Sequence, residues 1–581
     1  MGSSGGPTTT VTDRDCSESS RPAVFGATGW SRAGRLGGYL SVVALGALLR
    51  ILTMRQYVGH IDEPASLLAI KQVADLGYPL FPSDVLYLQG AAFSYVAAPL
   101  AWFFDNDALL HAARVLHICT ALLIIPLSMK LVHCLTNGFP VALLTGILIA
   151  CDPMLIIWGV AIRPYGLLAA EVVALVLLFT VLVRDGPQAR MGFVRIVYWI
   201  PAVATLGAFT HIGFALSFAA VATACIMVWR GALLDSARPI LFSGAVSVIP
   251  FIMFLLLGRF VGVGSGTGNG PLGETFVGSH LFSTQGLTDL SALPWNLWTR
   301  NFLEGAFYAL MPFLITLMSG VVLHGALSAP TNGSDHWRLQ ASGSILLVHW
   351  SMILVVMIVS SPGADPRYLT QVLPLGYVVL GLAAWRMWVV ATQHHPLNRH
   401  ILRMGTLGLL VIPALLYTST ASSWRIGDPG GNPGYWQATS WAAEHMSDDH
   451  VLLTAMPPAA YFWFPEQRLS SFYFLAGPAG SARTELFTKR DIKGNYVDYW
   501  LGITPINSEQ RLCEVLRQHA GNAWIVVDVG RLHAPWAFKG RMRNIIVGAS
   551  TEQYRGPNRI VVMFVDPVDA WRPDARSECG L

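Results

Sequence analysis

Charge is what this chain has least of. Asp, Glu, Lys and Arg make up 12% of its 581 residues, against roughly 25% in an ordinary soluble protein. The hydrophobic share is 53%, with 27 Phe and 19 Trp, more apolar surface than a water-solvated core needs. Other absences narrow the class further. The net charge is only +4, and the basic residues are scattered through loops, which excludes nucleic acid as a partner. There is no Walker motif, which argues against ATP-driven transport. No internal repeat and no matching pair of broken hydrophobic segments is present, which argues against an ordinary secondary transporter. No His/Cys cluster has metal-ligand spacing. The glycines between 261 and 276 lack the strand–turn–helix context of a phosphate-binding loop. They read as a mobile outer flap, with Trp295 and Trp298 as interfacial anchors. The seven cysteines form no framework. Cys119, Cys134, Cys151 and Cys225 sit in or beside hydrophobic runs as small apolar groups. Cys513 and Cys579 lie in a polar stretch and can pair if that stretch is extracytoplasmic, which spacing alone does not decide.

Long hydrophobic runs are what the chain has instead. A spanning helix needs ~20 mostly apolar residues. Candidates run near 37–54, 113–133, 139–157, 165–183, 194–210, 212–229, 239–258, 303–325, 342–360, 369–391 and 402–419, about eleven spans of a polytopic α-helical membrane protein. Residues 1–36 lack an apolar core, so they read as a disordered cytoplasmic tail and not as a cleaved signal peptide. The segment 87–104 is short and interrupted by Pro99; it reads as a helix lying along or dipping into the interface. With that choice Lys130, Arg184, Arg190, Arg195, Arg230, Arg238, Arg338, Arg386, Arg399 and Arg403 share one side. Basic loops face the cytoplasm, so the N-terminus is expected inside and the C-terminus outside the cell membrane. The 37–420 region is then the transmembrane domain, with 55–112 as its first outer loop. In that loop Ala65 to Asp75 has the spacing of a surface-lying amphipathic helix. From 421 to 581 the chain is polar, with strands expected at 451–453, 524–529 and 560–565 and helices at 436–446 and 508–519. That alternation suggests a small extracytoplasmic α/β domain over the outer mouths of the spans.

Four motifs carry chemistry. Asp62-Glu63 opens the first outer loop. A carboxylate there can take the proton of an attacking hydroxyl, a contribution of ~10²–10⁴-fold; it can equally cap the following helix. Arg163-Pro164-Tyr165 fills a short outer turn, where an Arg fork either grips phosphate or snorkels toward head groups. Asp365-Pro366-Arg367-Tyr368 is a second such turn, either a phosphate clamp or a local Asp–Arg pair of little weight. Asp152-Pro153 is a second acidic site or a helix-breaking end. His211, where one span gives way to the next, reads as an ordinary neutral histidine.

The order of these landmarks resembles the GT-C superfamily of membrane glycosyltransferases. A first span is followed by Asp-Glu, surface helices, a span opening with Ala112-Ala113-Arg114, Arg-Pro-Tyr, and Arg367-Tyr368-Leu369 with Pro374. The nearest branch is that of bacterial protein O-mannosyltransferases and aminoarabinose transferases. The resemblance covers about 37–420 and, more loosely, the C-terminal domain. It implies a sugar donor linked to polyprenyl phosphate, transfer on the outer face with inversion, and a glycan, lipid or protein acceptor. Asp62 then matches the catalytic first-loop aspartate. Glu63 matches its neighbour, which helps hold the acceptor or a cation. Arg163 and Arg367 fall where the lipid phosphate is held, with Lys71 and Tyr87 as further candidates. Some members use a divalent cation and others do not; Glu63 or Asp152 would be its ligand here. A transporter or flippase of lipid-linked intermediates is the competing reading, using the same basic residues without a base. A structural subunit working through the outer domain is a third.

Overall fold

In the computed structural model the described residues are 31–57, 59–60, 62–88, 90–185, 190–211, 213–229, 246–249, 252–253, 310–327, 336–359, 366–392, 434–463, 471–476, 488–490, 495–533, 538, 540–556 and 559–581. The expected span at 402–419, most of 239–258, the start of 303–325, the glycine-rich flap with Trp295 and Trp298, and Asp365 lie outside them.

Helix α1 (Arg32–Gln56) opens the bundle. The turn after it leads into α2 (Glu63–Leu76), which has Pro64 in its first turn and ends at Gly77 with φ +83°. Helix α3 (Ala91–Ala97) continues as a 3₁₀ turn to Trp102. Next come α4 (Asn106–Leu122), α5 (Ile124–Thr136), α6 (Phe139–Cys151), α7 (Pro153–Val160), α8 (Tyr165–Asp185), α9 (Arg190–Thr210) and α10 (Phe214–Trp229). Later helices run Leu310–Leu327, His336–Val359 and Leu373–Thr392. Among the described residues, five helical stretches are long and apolar enough to cross a membrane: Arg32–Arg55, Asn106–Thr136, Tyr165–Leu182, Gln340–Met357 and Arg367–Val390. The pair α6 and α7, bent by 59°, makes a sixth if it is one span. The expectation of about eleven therefore extends beyond what these residues count.

The bend between α6 and α7 follows from Asp152-Pro153. Proline cannot continue a helical hydrogen-bond ladder, and Asp152 sits extended at ψ 122° and accepts the Leu155 N–H. A bend inside a membrane bundle exposes carbonyls that no water reaches. The fully buried Arg50 of α1 meets that need, donating to the carbonyls of Gly46, Ala150 and Leu155. Gly159 makes room for it: a methyl group there would stand 2.7 Å from Arg50 Nε. Close approach through small residues is how helices associate in lipid, where hydrophobic burial between them drives little.

The amphipathic helix expected on the surface is enclosed instead. In α2 the residues Glu63 to Ile70, with Gln72 and Val73, are all buried. Leu67 and Ile70 pack with Phe93 and Ala97 of α3, while Ala65, Leu68 and Ala69 join the core that holds Ala459 and Ala460 of the helix Pro457–Trp463. The pattern at 65–75 records two covered faces, which a single-face reading cannot separate from one. The short segment around Pro99 is a broken helix with Tyr95, Val96, Trp102 and Phe103 exposed on one side.

The C-terminal residues build a mixed sheet in the order β5-β2-β1-β6-β8-β7. Strands β1 (Val451–Thr454), β2 (Phe472–Leu475), β5 (Pro505–Ile506) and β6 (Ala523–Asp528) run parallel. Strands β7 (Ser550–Arg555) and β8 (Ile560–Val565) close it antiparallel. A separate hairpin pairs β3 (Thr488–Arg490) with β4 (Tyr496–Asp498). The central strands β1, β6 and β8 are buried along nearly their whole length, which is why they are continuous apolar runs. Cys513 and Cys579 form a disulfide with Cα atoms 5.4 Å apart. This region grips the first loop directly: Ser83 donates from its backbone N–H to the Trp500 carbonyl and from its hydroxyl to the Tyr499 carbonyl.

Candidate active site

The acidic pair sits where four segments meet: the turn after α1, the start of α2, the α7–α8 turn and the 3₁₀ segment Pro366–Val372. Its two carboxylates point to different partners and have different surroundings.

Glu63 is buried, with 2% of its surface exposed. Its Oε1 accepts the Ile162 N–H at 2.8 Å and Arg114 Nε at 3.4 Å. Its Oε2 accepts Arg114 Nη2 at 2.7 Å and the His60 N–H at 3.1 Å. Four donors fill the capacity of a carboxylate. Arg114, on α4, also lies over the Tyr57 ring at 5.1 Å. Gly59 permits this convergence: at φ +111° it takes a conformation that other residues rarely adopt, and a methyl group there would stand 2.9 Å from Glu63 Oε2. Glu63 thus ties α2 to α4 and to the backbone of the α7–α8 turn. The expectation that it holds an acceptor or cation finds no spare oxygen lone pair to use.

Asp62 stands at the N-cap position of α2 but makes no side-chain cap. Its Oδ2 faces Arg367 Nη1 at 3.2 Å and Arg163 Nη2 at 3.5 Å. The aspartate is 26% exposed, whereas the arginines are 15% and 6% exposed. Two nearly buried guanidiniums from separate turns therefore share one partly open carboxylate oxygen. Burial works against the charge of Arg163, but Tyr87 and Asp62 beside it outweigh that and hold its pKa above the ordinary value. Its Nη1 donates to the Tyr87 hydroxyl at 3.3 Å, which in turn pairs with Ser66. Its buried Nε has no hydrogen-bond partner among the described residues.

His60 completes the cluster. The ring is 9% exposed and packs on Trp158 with centroids 5.2 Å apart. Its Nδ1 accepts the Asp62 backbone N–H at 3.1 Å. Burial pushes this imidazole down to about 4, with Asp62 opposing, so the ring is neutral at pH 7.

The structure thus brings Asp62, Arg163, Arg367 and Tyr87 together, with Glu63 behind them. Lys71 is elsewhere: it donates to Asn106 at 3.1 Å and lies 5.1 Å over the Phe462 ring. Eight residues separate it from Glu63, about 12 Å along a helix. Asp152 is also apart. It is buried and accepts the Leu155 N–H at 2.7 Å and the Tyr377 hydroxyl at 2.5 Å. Those bonds make it the helix-breaking end among the two readings of Asp152-Pro153. Among the described residues no group of three or more His, Cys, Asp or Glu stands close enough to hold a metal ion. With Glu63 saturated and Asp152 engaged, the donor set does not fit a resident divalent cation, and no step is routed through one. Sequence reasoning passed over His60, although it stands two residues before Asp62. It marked Arg114 only as a landmark, because an Arg in a hydrophobic run does not announce its partner.

A bundle of membrane-crossing helices with a mixed C-terminal sheet, and a carboxylate held by arginines from separate turns, defines a polytopic membrane protein. Solved structures that share this fold include two of one protein. ArnT from Cupriavidus metallidurans in the apo state aligns over 94% of this chain and 100% of its own, at a TM-score of 0.55 and 15% identity. The same protein bound to undecaprenyl phosphate aligns over the same shares, at a TM-score of 0.56 and 14% identity. ArnT is an aminoarabinose transferase of the GT-C superfamily. No family model and no curated protein matches the sequence.

Proposed function

We propose that this chain transfers a sugar from a polyprenyl-phosphate donor to a hydroxyl-bearing acceptor on the outer face of the membrane. The observation that carries this reading is Asp62 Oδ2 between Arg163 and Arg367. A base and two fixed cations within one hydrogen-bond radius are what such a transfer needs. Arg163 and Arg367 hold the phosphodiester of the donor; their planar forks suit phosphate oxygens. Asp62 takes the proton of the acceptor hydroxyl. The oxygen attacks the anomeric carbon as the bond to the phosphate oxygen breaks, and polyprenyl phosphate departs on the two guanidiniums. Attack opposite the leaving group inverts the centre. Stabilising the departing phosphate is the largest single contribution in this scheme. That an ArnT structure is bound to undecaprenyl phosphate supports a donor of this class.

Asp62 is itself an anion that both arginines face. Phosphate binding exchanges one anion for another and releases the base at the moment there is a donor to attack. Glu63, through Arg114 and Ile162, is a positioning residue that keeps the Arg163 turn against Asp62.

The sidedness belongs to this proposal as well. The N-terminal tail is cytoplasmic, residues 37–420 form the transmembrane domain, and residues 421–581 form an extracytoplasmic domain. The Cys513–Cys579 disulfide supports that placement, because disulfides persist in oxidising compartments. The test is Asp62→Asn with purified protein and labelled donor. Loss of transfer with the donor still bound is expected; turnover at the wild-type rate would remove Asp62 as the base.

A further inference from the structure

We infer that His60 is a third phosphate-binding group of this site, offering Nε2–H as a neutral hydrogen-bond donor beside Arg367; this deepens the reading above and rests on it.

The contacts of His60 fix its tautomer. A neutral imidazole has one N–H and one lone pair. Nδ1 accepts the Asp62 backbone N–H at 3.1 Å, so the lone pair is on Nδ1 and the proton on Nε2. Nε2 lies 3.5 Å from Arg367 Nη1. The reverse assignment would make Nε2 the acceptor of that longer contact and would set Nδ1–H against the Asp62 N–H. The shorter contact decides. Nδ1 also stands 3.6 Å from Asp62 Oδ2, beyond hydrogen-bond reach. Nε2–H and the Arg367 N–H therefore face each other as two donors. They cannot bond to one another, and both can bond to one oxygen placed between them. A phosphate oxygen is such a group, and Arg163 Nη2 stands 3.5 Å from Asp62 Oδ2.

The surroundings fix the ring for this task. Trp158 of α7 packs against it, tilted by 57° with ring centroids 5.2 Å apart. The His60 backbone is pinned at both groups, its N–H to Glu63 Oε2 and its carbonyl to the Glu63 N–H at 3.0 Å. A ring held in this way adds a donor with little further loss of freedom on binding. A neutral donor also adds no third positive charge to a site that already has two arginines.

The experiment uses the full chain in lipid nanodiscs and two probes. One is polyprenyl phosphate; the other is its methyl phosphodiester, which carries one charge at all working pH values. His60→Phe keeps a ring against Trp158 and has no N–H. His60→Gln places an amide N–H near the position of Nε2. A hydrogen bond to a charged oxygen is worth about 10-fold or more in affinity. The expected result is binding of both probes weakened about 10-fold by His60→Phe and largely restored by His60→Gln. Binding by His60→Phe within twofold of wild type would overturn the inference, as would equal loss in both variants. If His60→Phe does not fold, the histidine ¹⁵N spectrum decides: a protonated Nε2 that shifts on probe binding supports the inference, and an unprotonated one overturns it. Failure of the wild-type chain to bind either probe would instead refute the donor assignment itself.

Discussion

Removing the negative charge of Asp62 should make the site bind phosphate more tightly while ending catalysis. Asp62 Oδ2 lies 3.2 Å from one guanidinium nitrogen and 3.5 Å from another. At an effective dielectric constant near 20 each contact is worth about 5 kcal/mol of bare Coulomb energy. Desolvation of two nearly buried arginines cancels most of it, and Asp62 is a quarter exposed. A net of about 1–2 kcal/mol is left for phosphate to overcome, in line with hydrogen bonds between charged groups. Asp62→Asn removes that competitor while leaving the positive charge of both arginines in place. Polyprenyl phosphate should then bind about 5- to 30-fold more tightly, measured by calorimetry or anisotropy at fixed ionic strength. Arg163→Gln should move affinity the other way. Equal or weaker binding by Asp62→Asn would refute the exchange of carboxylate for phosphate, whatever happens to turnover.

Three further predictions concern the frame around the base. Glu63→Gln leaves Arg114 as an uncompensated buried cation, so stability should fall by about 3–5 kcal/mol, seen as a lower melting temperature. Glu63→Gln with Arg114→Met should recover part of that loss. Because the His60 pKa is depressed to about 4 from about 6.5, its contribution is whole above pH ~6.5 and is lost as pH falls toward the lower value. The upper bound is about 3 kcal/mol, and His60→Gln should flatten the fall in melting temperature between pH 7 and 5. Cutting the Cys513–Cys579 bridge, which closes a sequence separation of 66 residues, should cost about 4 kcal/mol. Denaturant titration of Cys513→Ser measures it, and an unchanged midpoint would contradict the pairing.

Much of this was legible in the sequence, for reasons that also explain the rest. Hydrophobic runs marked helices α1 and α4 to α10 because lipid demands long apolar segments. The strands β1, β6 and β8 showed as short apolar runs. Strand β7 did not: Ser-Thr-Glu-Gln-Tyr-Arg is polar because it is an edge strand facing solvent. Helix α2 looked like a surface helix because Lys71, Gln72 and Asp75 are polar; Asp75 is indeed exposed, but Gln72 is buried and Lys71 half-buried. Asp62, Arg163 and Arg367 were legible because a charge beside a hydrophobic run is conspicuous. Their meeting on one oxygen was not, since it depends on how three distant turns fold together. Arg50 and His60 were hidden for a different reason. Their partners are backbone groups, and a sequence does not show which N–H or carbonyl is left over.

The most direct measurement is the fate of a polyprenyl-phosphate sugar labelled in both the sugar and the lipid, given to purified wild-type chain and to Asp62→Asn with a hydroxyl acceptor. Wild type should separate the two labels, leaving the lipid label on polyprenyl phosphate and the sugar label on the acceptor with inverted configuration. Asp62→Asn should bind the donor and leave it whole. Donor that crosses the bilayer with both labels joined, or labels separated equally well by Asp62→Asn, would contradict this mechanism.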